Sequence, residues 1–279
     1  SAPFDGLLMD VTWLPKYAEA GWLEPLESYF NEVDVSLLAA GARQGNSFND
    51  HLYRWPLVAD MGLLYWRTDL MDVPPKTPEE LVSISKLLQK DNKVEWGYVW
   101  QGRQYEGLSC VYLEMIEGFG GYWLNTSDNS IGLDRAPGVE AASWLRSLIT
   151  DGVSPQAVTN FAEQEALQSF RAGDSAFMRN WPYAWADLQK TDSSVKGNVG
   201  VTTMVANPGF STATLGSWGL TVMKGSKHIE STVKAIEFLT NVESQKFLFL
   251  DYGYTPTMSS VFEDPDLFLQ APIIRELGL

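Results

Sequence analysis

Met178-Arg179-Asn180-Trp181-Pro182-Tyr183-Ala184-Trp185 sets three large aromatics and a proline within eight residues, shortly after Arg171-Ala172-Gly173-Asp174, a helix-ending tetrapeptide. Proline fits neither a helix interior nor a central strand, so Pro182 reads as a rigid turn or as the first turn of a following helix. Such a turn presents Trp181 and Tyr183 as fixed plates at the mouth of a pocket; core aromatics around a bend would show the same residues. Other segments carry similar chemistry. Asp10 closes an apolar run with Trp13 three residues on, Asp60 follows a proline-punctuated stretch, Tyr105 and Glu106 precede a helix, and Trp218 lies at a strand exit. Flat rings stack on the C–H faces of a neutral sugar, and an ionised carboxylate accepts two hydroxyl protons in charge-assisted bonds. Taken singly, each acid would also serve as a helix cap or surface group, and each Trp as core packing. Together, at separate strand ends, they are harder to assign to capping and packing alone, and in open α/β folds a ligand crevice lies beyond the carboxyl ends of strands.

Competing chemistries lack their residues. No phosphate-binding Gly-x4-Gly-Lys-Ser/Thr loop occurs, and Gly118-Phe119-Gly120-Gly121-Tyr122-Trp123 lacks the last glycine of a dinucleotide loop and follows a helix rather than a strand. There is no Gly-x-Ser-x-Gly elbow. His51 and His228 have no ligand or triad partner at useful spacing and read as surface residues, so neither metal nor cofactor is expected. Thirty-five acids keep a facing carboxylate pair, and hence a glycoside-active enzyme, open as an alternative, although nothing local marks an acid/base pair.

The 279-residue chain is long for one domain and fits two lobes. Its net charge of -15 disfavours nucleic acid and anionic membrane and suits a neutral or cationic ligand. Cys110 is the lone cysteine, so no internal disulfide forms, and it reads as a small buried hydrophobe. No apolar run approaches the roughly 18 residues of a membrane helix. No signal peptide is visible in a chain that begins Ser1-Ala2-Pro3-Phe4, in what reads as a strand approach.

The elements that must position these residues alternate. Strands are expected at Gly6–Met9, Gly62–Trp66, Gly97–Trp100, Ser175–Met178, Val199–Thr202 and Leu215–Val222, with an extended segment from Trp55 to Asp60. Helices are expected at Thr12–Ala20, from Pro78 to about Lys90 behind a Thr77 cap, at Glu106–Ile116, Pro137–Thr150 and Glu163–Arg171, and as a pair at Ile229–Thr240 and Ser244–Tyr252. Glycines stop several of them. Alternation of this kind makes the class α/β. Lobe crossings are expected near Pro56–Asp60, Val205–Thr212 and Tyr254–Thr257.

Several stretches together resemble the extracellular solute-binding proteins of ABC-type sugar importers, most closely the trehalose/maltose-binding branch. They are Met9-Asp10-Val11-Thr12-Trp13 with Ala20 to Leu26, Trp55-Pro56 with Asp60 to Leu70, Trp100 to Leu108, Phe177 to Trp185, Leu215 to Leu220, and Ala235 to Leu239. The resemblance implies a two-lobed periplasmic-binding-protein type II fold with an interlobe ligand cleft. It implies a first lobe from 1–57 plus 212–255 and a second from 58–211 plus 256–279. It implies hinge closure around a neutral mono- or disaccharide, and delivery to the transmembrane subunits of an ABC-type permease by a monomer that is periplasmic or extracellular, free or lipid-anchored. It places ligand contacts on Asp10, Asp60, Trp181, Gly216, Ser217 and Trp218, with Tyr105, Glu106 and Tyr183 in second rank. The family's first strands and helix have no counterpart before Ser1, nor its final helices after Leu279, so the chain resembles a member truncated at both ends. Val58 and Met258 stand where many relatives have an aromatic and an Arg, which points to trehalose, sucrose or a glucosyl-polyol rather than maltose. A sugar sensor docking on a signalling receptor would look the same.

Overall fold

A computed structural model describes residues 3–210, 212–270 and 273. The expected strand approach at Ser1-Ala2 lies outside them.

The chain forms two compact units, one from the described parts of 1–60 and 215–279, the other from Met61–Thr214. The changeovers fall at Asp60/Met61 and Thr214/Leu215 rather than after residues 57 and 211. The third crossing, near Tyr254–Thr257, does not occur, and the segment expected in the second lobe from residue 256 stays in the first unit. Hydrogen bonds explain why. Ala59 N–H donates to Thr255 O (3.3 Å), Thr257 Oγ1 donates to Pro56 O (3.2 Å), and Gln245 Oε1 accepts from the amides of Thr257 (2.6 Å) and Met258 (3.1 Å). A bridge from Met258 to Leu38 continues the attachment. Residues 271, 272 and 274–279 of that assignment lie outside the described residues.

In the first unit, Leu215–Val222 is the middle strand of three, between Gly6–Asp10 and Trp55–Met61. It runs antiparallel to Gly6–Asp10 in a register that sets Asp10 opposite Trp218. Its side chains alternate between faces, so buried Ser217 and half-exposed Trp218 point opposite ways. Trp218 thus sits inside the strand rather than at its exit. Gly219 is required: a Cβ there would meet Trp55 O at 2.8 Å and Arg54 Cγ at 2.6 Å. Pro56 occupies an edge strand, the sheet position that tolerates a missing N–H. Beneath the sheet, Phe30 stacks on Trp55 (4.1 Å between centroids, 13° between planes) among Leu26, Leu38, Val222, Val233 and Ile236.

The second unit is built on a four-stranded sheet ordered Val199–Thr202, Leu63–Arg67, Ser175–Asn180, Trp96–Val99. Ser175–Asn180 is antiparallel to Leu63–Arg67, parallel to Trp96–Val99 and buried along its whole length. Burying each of its large apolar side chains, Phe177 and Met178, contributes about 1.5–3 kcal/mol. The Pro78–Lys90 helix starts in a capping box: Thr77 Oγ1 accepts from Glu80 N–H (3.2 Å), and Glu80 Oε2 accepts from Thr77 N–H (3.4 Å). The Glu163–Ala172 helix stops at Gly173, whose φ of 90° is left-handed. That stop turns the chain into Ser175–Asn180, and this strand delivers Trp181. Among the described residues no helix is long and apolar enough to cross a membrane.

Candidate functional site

On the first unit, Asp10 ends its strand and caps the turn Val11–Trp13. Its Oδ1 accepts from Thr12 N–H (2.8 Å) and Thr12 Oγ1 (2.7 Å). The turn swings Trp13 against Trp218, edge to face at 5.6 Å and 77°, with both rings well exposed. Asp10, Trp13 and Trp218 are therefore one cluster.

Ser217 lies behind this cluster and is fully buried. Its hydroxyl donates to Val58 O (3.0 Å) and accepts from Arg54 Nη2 (2.8 Å). Arg54 Nη1 also donates to Ser217 O (2.8 Å), and Arg54 Nε to Asn46 Oδ1 (3.0 Å). The Ser217 side chain thus holds strands together, while Gly216 remains half-buried at the strand's start. Burial pulls the Arg54 guanidinium down to about 10, opposed by the attraction of Asp10.

Asp60 closes the first unit's share of its strand, half-buried. Its Oδ1 accepts from Thr255 Oγ1 (2.5 Å) and from Thr255 N–H (3.4 Å). Burial nevertheless dominates and raises its carboxyl to about 7.

The second unit gathers its own cluster around Glu163, a residue that in the sequence reads only as the acid at a helix start. Glu163 Oε2 accepts from Tyr105 Oη (2.8 Å) and Oε1 from Trp181 Nε1 (3.2 Å). Asn180 Nδ2 donates to Glu163 O (3.1 Å), and its Oδ1 accepts from Trp181 N–H (2.9 Å). The Arg179 guanidinium lies over the Trp181 ring at 3.9 Å. Arg103 lies over Tyr105 at 4.7 Å. Burial and the bond to Glu163 push the Tyr105 phenol well above its usual value, so it stays a donor. Tyr183 joins the cluster through Gln164, whose Nε2 donates to its Oη (3.3 Å). Glu106 is exposed in the first turn of the Glu106–Gly118 helix.

Each unit thus presents half-exposed indole next to fixed carboxylate. Such surfaces can stack on a pyranose and accept its hydroxyl protons. Burial raises the Cys110 thiol to about 11, which removes it as a nucleophile at neutral pH. Among the described residues no three His, Cys, Asp or Glu side chains gather as metal ligands.

The sequence profile of the bacterial extracellular solute-binding proteins matches residues 1–246. The chain belongs to this family. A probable ABC transporter-binding protein of Deinococcus radiodurans is 37% identical over 283 residues, covering 98% of this chain and 67% of that protein. A maltotriose-binding protein of Pyrococcus abyssi is 25% identical over 271 residues, covering 95% of this chain and 57% of its own length. Among solved structures, maltose-bound MalE3 of T. maritima superposes with a TM-score of 0.91 at 35% identity, over 99% of this chain and 72% of that one. The fold is accordingly the two-lobed α/β fold of these binding proteins, and the family is one of solute-binding proteins rather than enzymes. The glycoside-active alternative is thereby set aside.

Proposed function

We propose that this chain is the cargo-binding component of an ABC-type sugar importer, acting in the periplasm or outside the cell and handing its sugar to the transmembrane subunits of a permease. The cargo is a neutral α-glucoside disaccharide or a glucosyl-polyol, and the protein acts as a monomer, free or lipid-anchored. On the second unit, Trp181 offers its ring to a pyranose C–H face, with Tyr105, Glu106 and Tyr183 as its polar contacts; on the first unit, Asp10, Asp60, Gly216 and Trp218 are the residues proposed to meet the sugar.

The observation that carries this reading is the Tyr105–Glu163–Trp181 network. A carboxylate bonded to both a phenol and an indole N–H locks the ring in one orientation before ligand arrives. Freedom lost by binding-site side chains costs about 0.5–1.5 kcal/mol each, so a preset ring strengthens binding. The 35% identity to a maltose-bound protein supports a sugar cargo. Val58 is buried in its strand and Met258 is tied to Gln245 and Leu38 by its backbone. Neither offers the aromatic ring or the Arg that the resemblance leads one to expect there, which favours trehalose, sucrose or a glucosyl-polyol over maltose.

Calorimetric titration with maltose, trehalose, sucrose and glucosylglycerol tests the reading. One of the last three is expected to bind more tightly than maltose. Equal affinities would remove the narrower cargo assignment, and silence from all four would remove the sugar reading. A thermal scan gives the same answer: ligand at about 100 times its Kd adds about 2.7 kcal/mol of apparent stability.

A further inference from the structure

Arg179 and Glu114 form a fully buried ion pair in the second unit. Glu114 Oε1 accepts from Arg179 Nη2 (2.5 Å) and Oε2 from Arg179 Nε (3.1 Å), so carboxylate and guanidinium meet fork to fork. Gln101 is buried beside them; its Oε1 lies 3.4 Å from Arg179 Nη1, and its Nε2 donates to Arg179 O (3.0 Å). This fixed guanidinium lies over the Trp181 ring. Burial opposes the Arg179 charge, but the attraction of Glu114 overcomes it, and the group is held above its ordinary value.

The other side of Glu114 faces the two places where the chain passes between units. Its Oε1 accepts from Thr214 N–H (3.3 Å), the last residue of the second unit. It also fills the space above Gly62, where a Cβ would come within 1.9 Å of Glu114 Oε1 and 2.7 Å of Arg179 Nη2. Gly62 N–H in turn donates to Thr214 O (3.2 Å). One carboxylate therefore touches both chain crossings and the cation that backs the indole.

We propose that Glu114 and Arg179 are positioning residues for the Trp181 ring, and that through Glu114 the ring's orientation is coupled to the chain crossings at Gly62 and Thr214. The proposal deepens the sugar-binding reading and rests on it for its effect on affinity. Its effect on the ring can be read without ligand. A purely structural ion pair can be exchanged for uncharged groups of similar shape with little loss of stability, whereas a positioning pair cannot be exchanged without moving what it positions.

The double variant Glu114→Gln/Arg179→Met separates the two. Its melting point is expected near that of the wild type, its Kd for maltose at least tenfold higher, and the Trp181 indole N–H resonance, identified by its loss in Trp181→Phe, shifted in ligand-free protein. Gly62→Ala supplies a second reading, because its methyl would meet both Glu114 Oε1 and Arg179 Nη2. The same resonance is expected to move although neither Trp181 nor either member of the pair is substituted. An unmoved indole resonance in both variants overturns the proposal. Wild-type protein that fails to bind any sugar overturns the functional reading alone, and the ligand-free resonance still decides the positioning role.

Discussion

Replacing Asp60 by Asn changes one titrating group and keeps an oxygen to accept from Thr255 Oγ1. The carboxyl stands at about 7 in the folded protein against an ordinary 3.8. Between those values the folded state holds a proton that the unfolded chain has lost, so the unfolded state binds fewer protons and stability falls as pH rises. The group's contribution is fully present below pH 4 and is lost as pH climbs through 7. From pH 5 to 7 the window spans two units, which at 1.36 kcal/mol per unit is about 2.7 kcal/mol. The residue is half-buried, so water screens part of this and a change of about 1–2.7 kcal/mol is expected. Urea unfolding of wild type and Asp60→Asn at pH 5 and pH 8 measures it: the variant should gain on the wild type by that amount at the higher pH. Binding carries the matching signature. Sugar hydroxyls that donate to the ionised carboxylate lower its pKa in the complex, so Kd should fall by up to about tenfold per pH unit below 7 and level off above it. The variant's profile should be flat. A stability difference that is the same at both pH values would refute the assigned burial of Asp60, and parallel binding profiles would remove it from the sugar's contacts.

Three further substitutions probe other contacts. In Glu163→Gln a single amide oxygen replaces two carboxylate oxygens, so Tyr105 Oη or Trp181 Nε1 loses its acceptor; a loss of about 1–2 kcal/mol in sugar affinity by calorimetry is expected. In Ser217→Ala the buried Arg54 loses an acceptor, which should cost about 1–3 kcal/mol of stability in urea with sugar affinity changed less than about threefold. Trp13→Ala removes the edge-to-face partner of Trp218, worth about 0.5–1.5 kcal/mol, and should lower stability in urea by about that amount and, by freeing the Trp218 ring, weaken sugar binding roughly three- to tenfold.

Local chemistry made the elements legible. The Thr77-Pro78-Glu79-Glu80 start, the stops at Gly173 and Gly253, and the apolar run before Trp181 are each written within a few residues, and the elements form where those signals stand. The cluster of Asp10 with Trp13 was legible for the same reason, because capping geometry folds that turn back on itself. What stayed hidden depends on partners far along the chain. Ser217 looks available in sequence, but Arg54, 163 residues away, and Val58 take up its hydroxyl. Glu163 looks like any acid at a helix start until Tyr105 and Trp181 converge on it. The stretch from Tyr254 to Thr257 reads as an extended crossing, yet Asp60 and Gln245 bind it to the first unit. Side-chain pairing over long separations, not local propensity, decided each of these.

The proposed platform for a neutral sugar is the Trp181 ring, held by Glu163 on its edge and Arg179 on its face. A crystal structure of the protein grown with saturating maltose or trehalose tests this most directly. A pyranose ring is expected with its C–H face about 4 Å from the indole of Trp181, on the side opposite Arg179. Sugar bound elsewhere, with that indole face covered by protein, would contradict it.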